Sequence, residues 1–185
     1  MREGRLCRRR RAHQNGGVSA RDAQTFRVVF VCSGNICRSP MAAEVFRELA
    51  ESAGLGDRIV STSAGTGDWH VGERADHRTI EALHRRGYDG ARHRARQFTA
   101  ADFADNDLVV ALDHTHERIL RGWAHDESEA GKVSLLMTFD PAAKTTDVPD
   151  PYYAGPAMFD EVLGMIEGAS RALFRQLEPA IRSAV

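Results

Sequence analysis

The 185-residue sequence is 42% hydrophobic and 28% charged with a net charge of −1, the balance of a globular chain long enough for one domain with its own core. The charge is uneven: residues 1–26 hold seven arginines against two acids, so the remainder is acidic and a poor surface for nucleic acid. No stretch is long and apolar enough for stable membrane insertion, and three cysteines are too few, and odd in number, for a disulfide scaffold.

The arginine-rich start has no apolar segment behind it, so it is neither a secretory nor a twin-arginine signal. It reads as a basic, disordered extension over 1–25, ahead of a single domain over 26–185. Its sharper alternative is an electrostatic tether to anionic surfaces. Cys7 lies in this tail and receives no role. With no export signal, a reducing cytoplasm is the expected setting.

Strand and helix patterns then alternate. Residues 25–32 form an apolar run rich in Val and Phe, as in a strand covered on both faces. From Ser39 the pattern turns helical, with Met41, Ala42, Val45, Phe46 and Leu49 on one face and Gly54 ending it. A strand over 58–65, a helix over 75–87, a strand over 107–113, a helix over 114–123 and a strand over 132–139 follow. A loop with Pro141, Pro149 and Pro151 leads to a long closing helix. Its apolar positions (Phe159, Val162, Leu163, Ile166, Leu173, Phe174, Leu177) keep helical spacing. Strands separated by helix-length segments imply a parallel α/β sheet with helices on both faces, and such sheets bind ligands at the carboxyl ends of their strands.

Cys32 lies at the carboxyl end of the first strand. Ser39 suits a helix N-cap and Pro40 a first helical position, so free amides and the helix dipole point back into the loop 32–38. Gly34 and Asn35 can take positive φ and turn that loop's N–H groups inward as an anion cradle, and Arg38 adds a planar fork for two oxygens of a tetrahedral anion. This is the chemistry of a phosphate site. The same field stabilises a Cys32 thiolate, a nucleophile aimed at phosphorus, with the Ser39 hydroxyl placed to donate to it and help it leave. Alone, Cys32 would read as a small buried residue ending a strand; in company with Gly34, Arg38, Ser39 and Pro40 it reads as catalytic.

The loop "CSGNICRS", together with "SAGTGDWH", "HRARQ" and "DVPDPYY", resembles the low-molecular-weight protein-tyrosine phosphatases of the actinobacterial type, over about Phe26 to Ala180. The resemblance implies a Rossmann-like, four-stranded parallel sheet in the order 2-1-3-4, a phosphotyrosine hydrolase working through a phosphocysteine, a mostly monomeric state, and no metal or other cofactor. It implies that Ser33, Gly34, Asn35, Ile36, Cys37 and Arg38 cradle the phosphate or other oxyanions, and that Asn35, Ser39, Ser63 and His93 form a supporting network. Two Asp-Pro pairs, at Asp140 and Asp150, compete as general acid, with Asp147 an outside candidate; the resemblance selects Asp150. Trp69, Tyr152 and Tyr153 would form an aromatic rim suited to a phenyl ring. Tyr153 and Tyr152 resemble tyrosines that a cognate tyrosine kinase modifies, and Cys37 resembles the neighbour that traps the oxidised nucleophile as a disulfide. His114 and His116, two apart on a helix, point to different sides and make a poor ligand pair.

Other readings stay open beside this one. An arsenate reductase of this fold needs further cysteines, and none follows Cys37. A protein-arginine phosphatase typically carries threonine where this loop has Ile36. A non-catalytic phosphotyrosine-binding module or a thiol-redox protein would have no use for Asp150.

Overall fold

The computed structural model describes residues 25–184. Apart from Thr25, the expected basic extension and Cys7 lie outside the described residues. β1 (Phe26–Cys32) is central, pairing in parallel with β2 (Ile59–Gly65) on one side and β3 (Leu108–Ala111) on the other, and β4 (Val133–Leu135) pairs with β3. The order is β2-β1-β3-β4.

Val28 to Val31 are fully buried, because helices cover both faces of β1. The two-residue period of the strand sends alternate side chains to opposite sides. Val28, Phe30 and Cys32 join the larger cluster, against α1 (Arg38–Ser52) and the closing helix. Val29 and Val31 join the smaller one, with Phe98, Phe103 and Leu120. The larger cluster is built around an aromatic chain: Phe46 of α1 lies 5.5 Å from Phe30 and 5.8 Å from Phe174, ring centre to ring centre. Each such side chain contributes about 1.5–3 kcal/mol by leaving water.

The remaining helices are α2 (His77–Arg85), α3 (Ala101–Asp105), α4 (His114–Trp123), α5 (Glu127–Ala130) and α6 (Pro156–Ser183). Asp76 caps α2, Asp113 caps α4 and Asp126 caps α5, each carboxylate accepting a first-turn N–H. No helix among the described residues is long and apolar enough to cross a membrane.

Three local expectations need correction. Ser39 is not the N-cap of α1: the helix starts at Arg38 with Cys37 as its cap, and no side chain caps it. The Ser39 hydroxyl is spent instead on the sulfur of Cys32 and on Asn35. The strand expected over 132–139 ends at Leu135 and tightens into a 3₁₀ turn over Leu136–Phe139. β4 is an edge strand, and Leu136 and Met137 are buried through the turn, so burial without a ladder partner satisfies the same apolar run. Of Gly34 and Asn35, only Asn35 takes positive φ, at 56°. The helices α3 and α5, of five and four residues, are too short to show a helical period in the sequence.

Candidate active site

The carboxyl ends of β1, β2 and β3 converge. Cys32 pairs with Gly65 and Val31 with Ala111, so the three loops leaving these strands meet at one end of the sheet. Segment 33–37 forms a tight loop there, pinned along its length. The Ser33 carbonyl accepts the Gly67 N–H at 2.9 Å and the Cys32 carbonyl that of Thr66 at 2.8 Å. Gly65 has to be a glycine, since a Cβ there would stand 2.6 Å from the Ser33 carbonyl oxygen. At Gly34 a Cβ would meet the His70 ring at 2.8 Å, so any other residue would push that side chain aside.

Asn35 holds the centre of the loop, fully buried in a left-handed conformation that a non-glycine residue adopts only when its surroundings enforce it. Its amide donates to Ser39 Oγ and to Ser63 Oγ, each at 2.9 Å. Its side-chain oxygen accepts the Arg96 N–H at 3.0 Å, and its carbonyl lies 2.6 Å from His93 Nε2. That carbonyl can only accept, so Nε2 carries the proton. Burial lowers the pKa of His93 below its ordinary 6.5 and favours the neutral ring.

Cys32, 3% exposed, places its sulfur 3.0 Å from Ser39 Oγ. Ser39 Oγ already accepts from Asn35, so its own proton is free for the sulfur or for the Ala64 carbonyl at 3.3 Å. Cys37 differs: burial pushes its thiol up to about 12, so it stays protonated.

Arg38 is 3% exposed. It donates from NH1 to Asp113 Oδ2 at 2.8 Å and to the Val148 carbonyl at 3.0 Å, and from NH2 to Asp150 Oδ2 at 2.8 Å. Its Nε is buried and has no hydrogen-bond partner among the described residues. Burial alone would raise the Asp113 carboxyl, but His116 and the Arg38 charge hold it well below its ordinary value, so it is ionised.

Asp150 stands at the mouth, its side chain 48% exposed, with Oδ1 accepting the Tyr152 N–H at 3.1 Å. The other two acid candidates are turned elsewhere. Asp147 binds the backbone N–H of His114, at 3.0 Å, and its ring. Asp140 caps its own turn through the Ala142 N–H. A cleft of about 400 Å³ is lined by Cys32, Ser33, Gly34, Ile36, Cys37 and Arg38 at its base and by Trp69, His70, Asp150, Tyr152 and Tyr153 at its walls. The structure thus joins Cys32, Ser39, Asn35, Ser63 and His93 in one network, places Arg38 beside Cys32 in the cleft lining, and sets Asp150 and the three aromatics around its opening.

Three residues of this site, His70, Arg78 and Asp113, were not singled out in the sequence, and a fourth, His116, was weighed there only as half of a poor ligand pair. Asp113 and His116 reach it from the end of β3 and the first turn of α4, and His116 Nε2 lies 2.8 Å from Ser33 Oγ. The available signal was an Asp at a strand end with an N–H three residues on, which marks a helix cap at the ligand-binding edge. His70 forms a wall beside Trp69 and Tyr152. Arg78, held by Asp76, donates to the Tyr152 and Ala154 carbonyls and so fixes the loop that carries Asp150. Among the described residues, no three His, Cys, Asp or Glu side chains converge to hold a metal ion.

Comparison with known proteins places this geometry in context. The family model described as low molecular weight phosphotyrosine protein phosphatase matches residues 27–183. A low molecular weight protein-tyrosine-phosphatase of Streptomyces coelicolor is 55% identical over 151 residues, covering 80% of this chain and 92% of that one. The low molecular weight protein-tyrosine phosphatase A of Mycobacterium tuberculosis is 48% identical, covering 77% and 85%. A crystal structure of a protein tyrosine phosphatase from Entamoeba histolytica, with Hepes in its active site, superposes with a TM-score of 0.81 at 33% identity, covering 84% of this chain and 99% of that one.

Proposed function

Because the chain belongs to the low molecular weight phosphotyrosine protein phosphatase family, and is a tyrosine phosphatase, we propose that residues 26–185 hydrolyse phosphotyrosine through a phosphocysteine on Cys32, with Asp150 as general acid and no metal. The observation that carries this reading is the cleft floor, which Cys32 and Arg38 line together, with the buried Ser39 hydroxyl 3.0 Å from the Cys32 sulfur. The dianion of a phosphate monoester enters the loop 33–37 against its N–H groups, and the guanidinium takes two of its oxygens. It displaces the Asp150 carboxylate from Arg38 and frees it to carry a proton.

The thiolate attacks phosphorus in line; the bond from phosphorus to the phenolic oxygen breaks, and Asp150 gives that oxygen its proton. Water then attacks phosphorus and passes a proton back to Asp150. The phosphorus–sulfur bond breaks, and the departing thiolate receives the Ser39 hydrogen bond. The Entamoeba relative's active site holds Hepes, whose sulfonate is a tetrahedral anion of the kind this loop would bind.

Trp69 and Tyr152 face the entering ring, and Ile36, 8% exposed at the cleft base, favours an aromatic ester over a guanidinium. Tyr153, 97% exposed, is open to a cognate tyrosine kinase, as Tyr152 is to a lesser degree. A reducing cytoplasm suits a site built on a thiolate. Rapid acid quench during turnover of a phosphotyrosine peptide, followed by mass spectrometry, should find phosphate on the Cys32 peptide. Its absence while phosphate is being released would reject the covalent intermediate.

A further inference from the structure

His116 is 1% exposed and stands between the phosphate loop and the carboxylate that holds Arg38. Its Nε2 lies 2.8 Å from Ser33 Oγ. Its Nδ1 lies 2.9 Å from Asp113 Oδ1, at an angle that makes this a close electrostatic contact rather than an aligned hydrogen bond. The same Oδ1 accepts the backbone N–H of His116 at 2.9 Å, while Oδ2 accepts from Arg38 NH1. One carboxylate therefore connects the arginine of the site to the histidine, and the histidine connects to the first loop residue after the nucleophile.

The charges decide the protons. Asp113 is ionised and can only accept, so the ring proton belongs on Nδ1, facing it. In that tautomer Nε2 presents its lone pair to Ser33, whose hydroxyl donates. Ser33 is thereby tied twice: its carbonyl to the Gly67 N–H on the β2 side, and its hydroxyl to His116 on the β3 side. Asn35 ties the loop through other partners, so the Ser33 hydroxyl is the loop's link to α4.

We propose that His116 is a positioning residue of the phosphatase reaction, bracing the phosphate loop through Ser33 while Asp113, which sets its tautomer, aligns Arg38. Ser, His and Asp in this order would activate a serine elsewhere. Here the nucleophile is the adjacent thiol, and the three residues fix the shape of the anion site. A loop whose N–H groups are prearranged for the phosphoryl oxygens binds them without reorganisation, so loosening Ser33 should weaken every tetrahedral anion that the cleft takes.

This inference rests on the reading of the cleft as a phosphate site, and the test separates the two. kcat, KM and the inhibition constant of orthophosphate would be measured for wild type, Ser33→Ala, His116→Ala and the double variant. Orthophosphate protection of Cys32 against iodoacetate, which needs no turnover, would be read in parallel, with the thermal midpoint of each variant. Each single variant should weaken orthophosphate binding by about fivefold or more, and the double should be no worse than the poorer single. Losses that add in the double variant, or a lowered midpoint with orthophosphate binding and kcat/KM unchanged, would overturn the proposal. Should His116→Ala fail to fold, Ser33→Ala decides alone. A wild type that releases no phosphate from phosphotyrosine, yet is protected by orthophosphate, would refute the hydrolase reading and leave the brace to be judged by protection.

Discussion

The Cys32 sulfur and the Ser39 hydroxyl lie 3.0 Å apart, both buried, and the hydroxyl oxygen also accepts from the Asn35 amide at 2.9 Å. A thiolate can only accept, so once the sulfur is anionic Ser39 gives its proton to it. Ser39→Ala should therefore slow phosphocysteine breakdown, where the thiolate departs, by about tenfold to a hundredfold. Rapid-mixing kinetics should show a burst of phenol before a slow steady state. A linear trace with unchanged kcat would remove Ser39 from that step.

Asp150 is itself half-exposed and touches Arg38 NH2 and the Tyr152 N–H. Asp150→Ala should lower kcat for phosphotyrosine by about a hundredfold or more, the contribution of a positioned general acid, with KM moved little. A substrate with an acidic leaving phenol should recover much of the loss, since it departs without a proton. Equal losses for both substrates would show that Asp150 acts by another route.

Cys37 sits on the same loop as the nucleophile, but burial holds its thiol at about 12. Disulfide closure onto an oxidised Cys32 requires the Cys37 thiolate as attacker, and the sulfenic oxygen leaves as water. Closure after peroxide treatment should thus accelerate by about tenfold per pH unit through neutral and alkaline solution. Mass spectrometry of quenched samples would follow it. A pH-independent rate would mean that Cys37 is deprotonated by opening of the loop before it attacks.

Two groups tie stability to pH in the same direction. His93 has its pKa lowered by burial from an ordinary 6.5, so its contribution is present above that value and is lost as pH falls below it. Asp113 is held below its ordinary 3.8, so its contribution survives to lower pH and is lost only as pH falls through its folded value. The thermal midpoint should begin to fall below about pH 6.5 and fall further below about pH 4. His93→Gln should flatten the first decline and leave the second. An unchanged first decline would place its origin in another group.

Much of this architecture was legible in the chain. The Val- and Phe-rich run of β1 announced a strand covered on both faces, and the strand order 2-1-3-4 implied by the resemblance is the order found. The loop from Cys32 to Ser39 could be read because its chemistry lies within eight residues. Asp113, His116 and Arg78 could not, because each acts across 74 to 83 positions of sequence. They reach the site only once β3 lies beside β1 and α2 beside the loop at 150–154. Ser39 was misjudged as a cap for a related reason: local pattern favoured the helix start, whereas a buried sulfur and a buried amide outbid it for the same hydroxyl.

The central claim, a metal-free tyrosine phosphatase acting through Cys32, is tested most directly by phosphate release in EDTA at mildly acidic pH. A phosphotyrosine peptide and a phosphoarginine peptide would be compared, with wild type beside Cys32→Ser. Rapid release from phosphotyrosine alone, abolished by the substitution, is the predicted result. Release that prefers phosphoarginine would contradict the substrate and the role of Ile36, and release that survives Cys32→Ser would contradict the nucleophile.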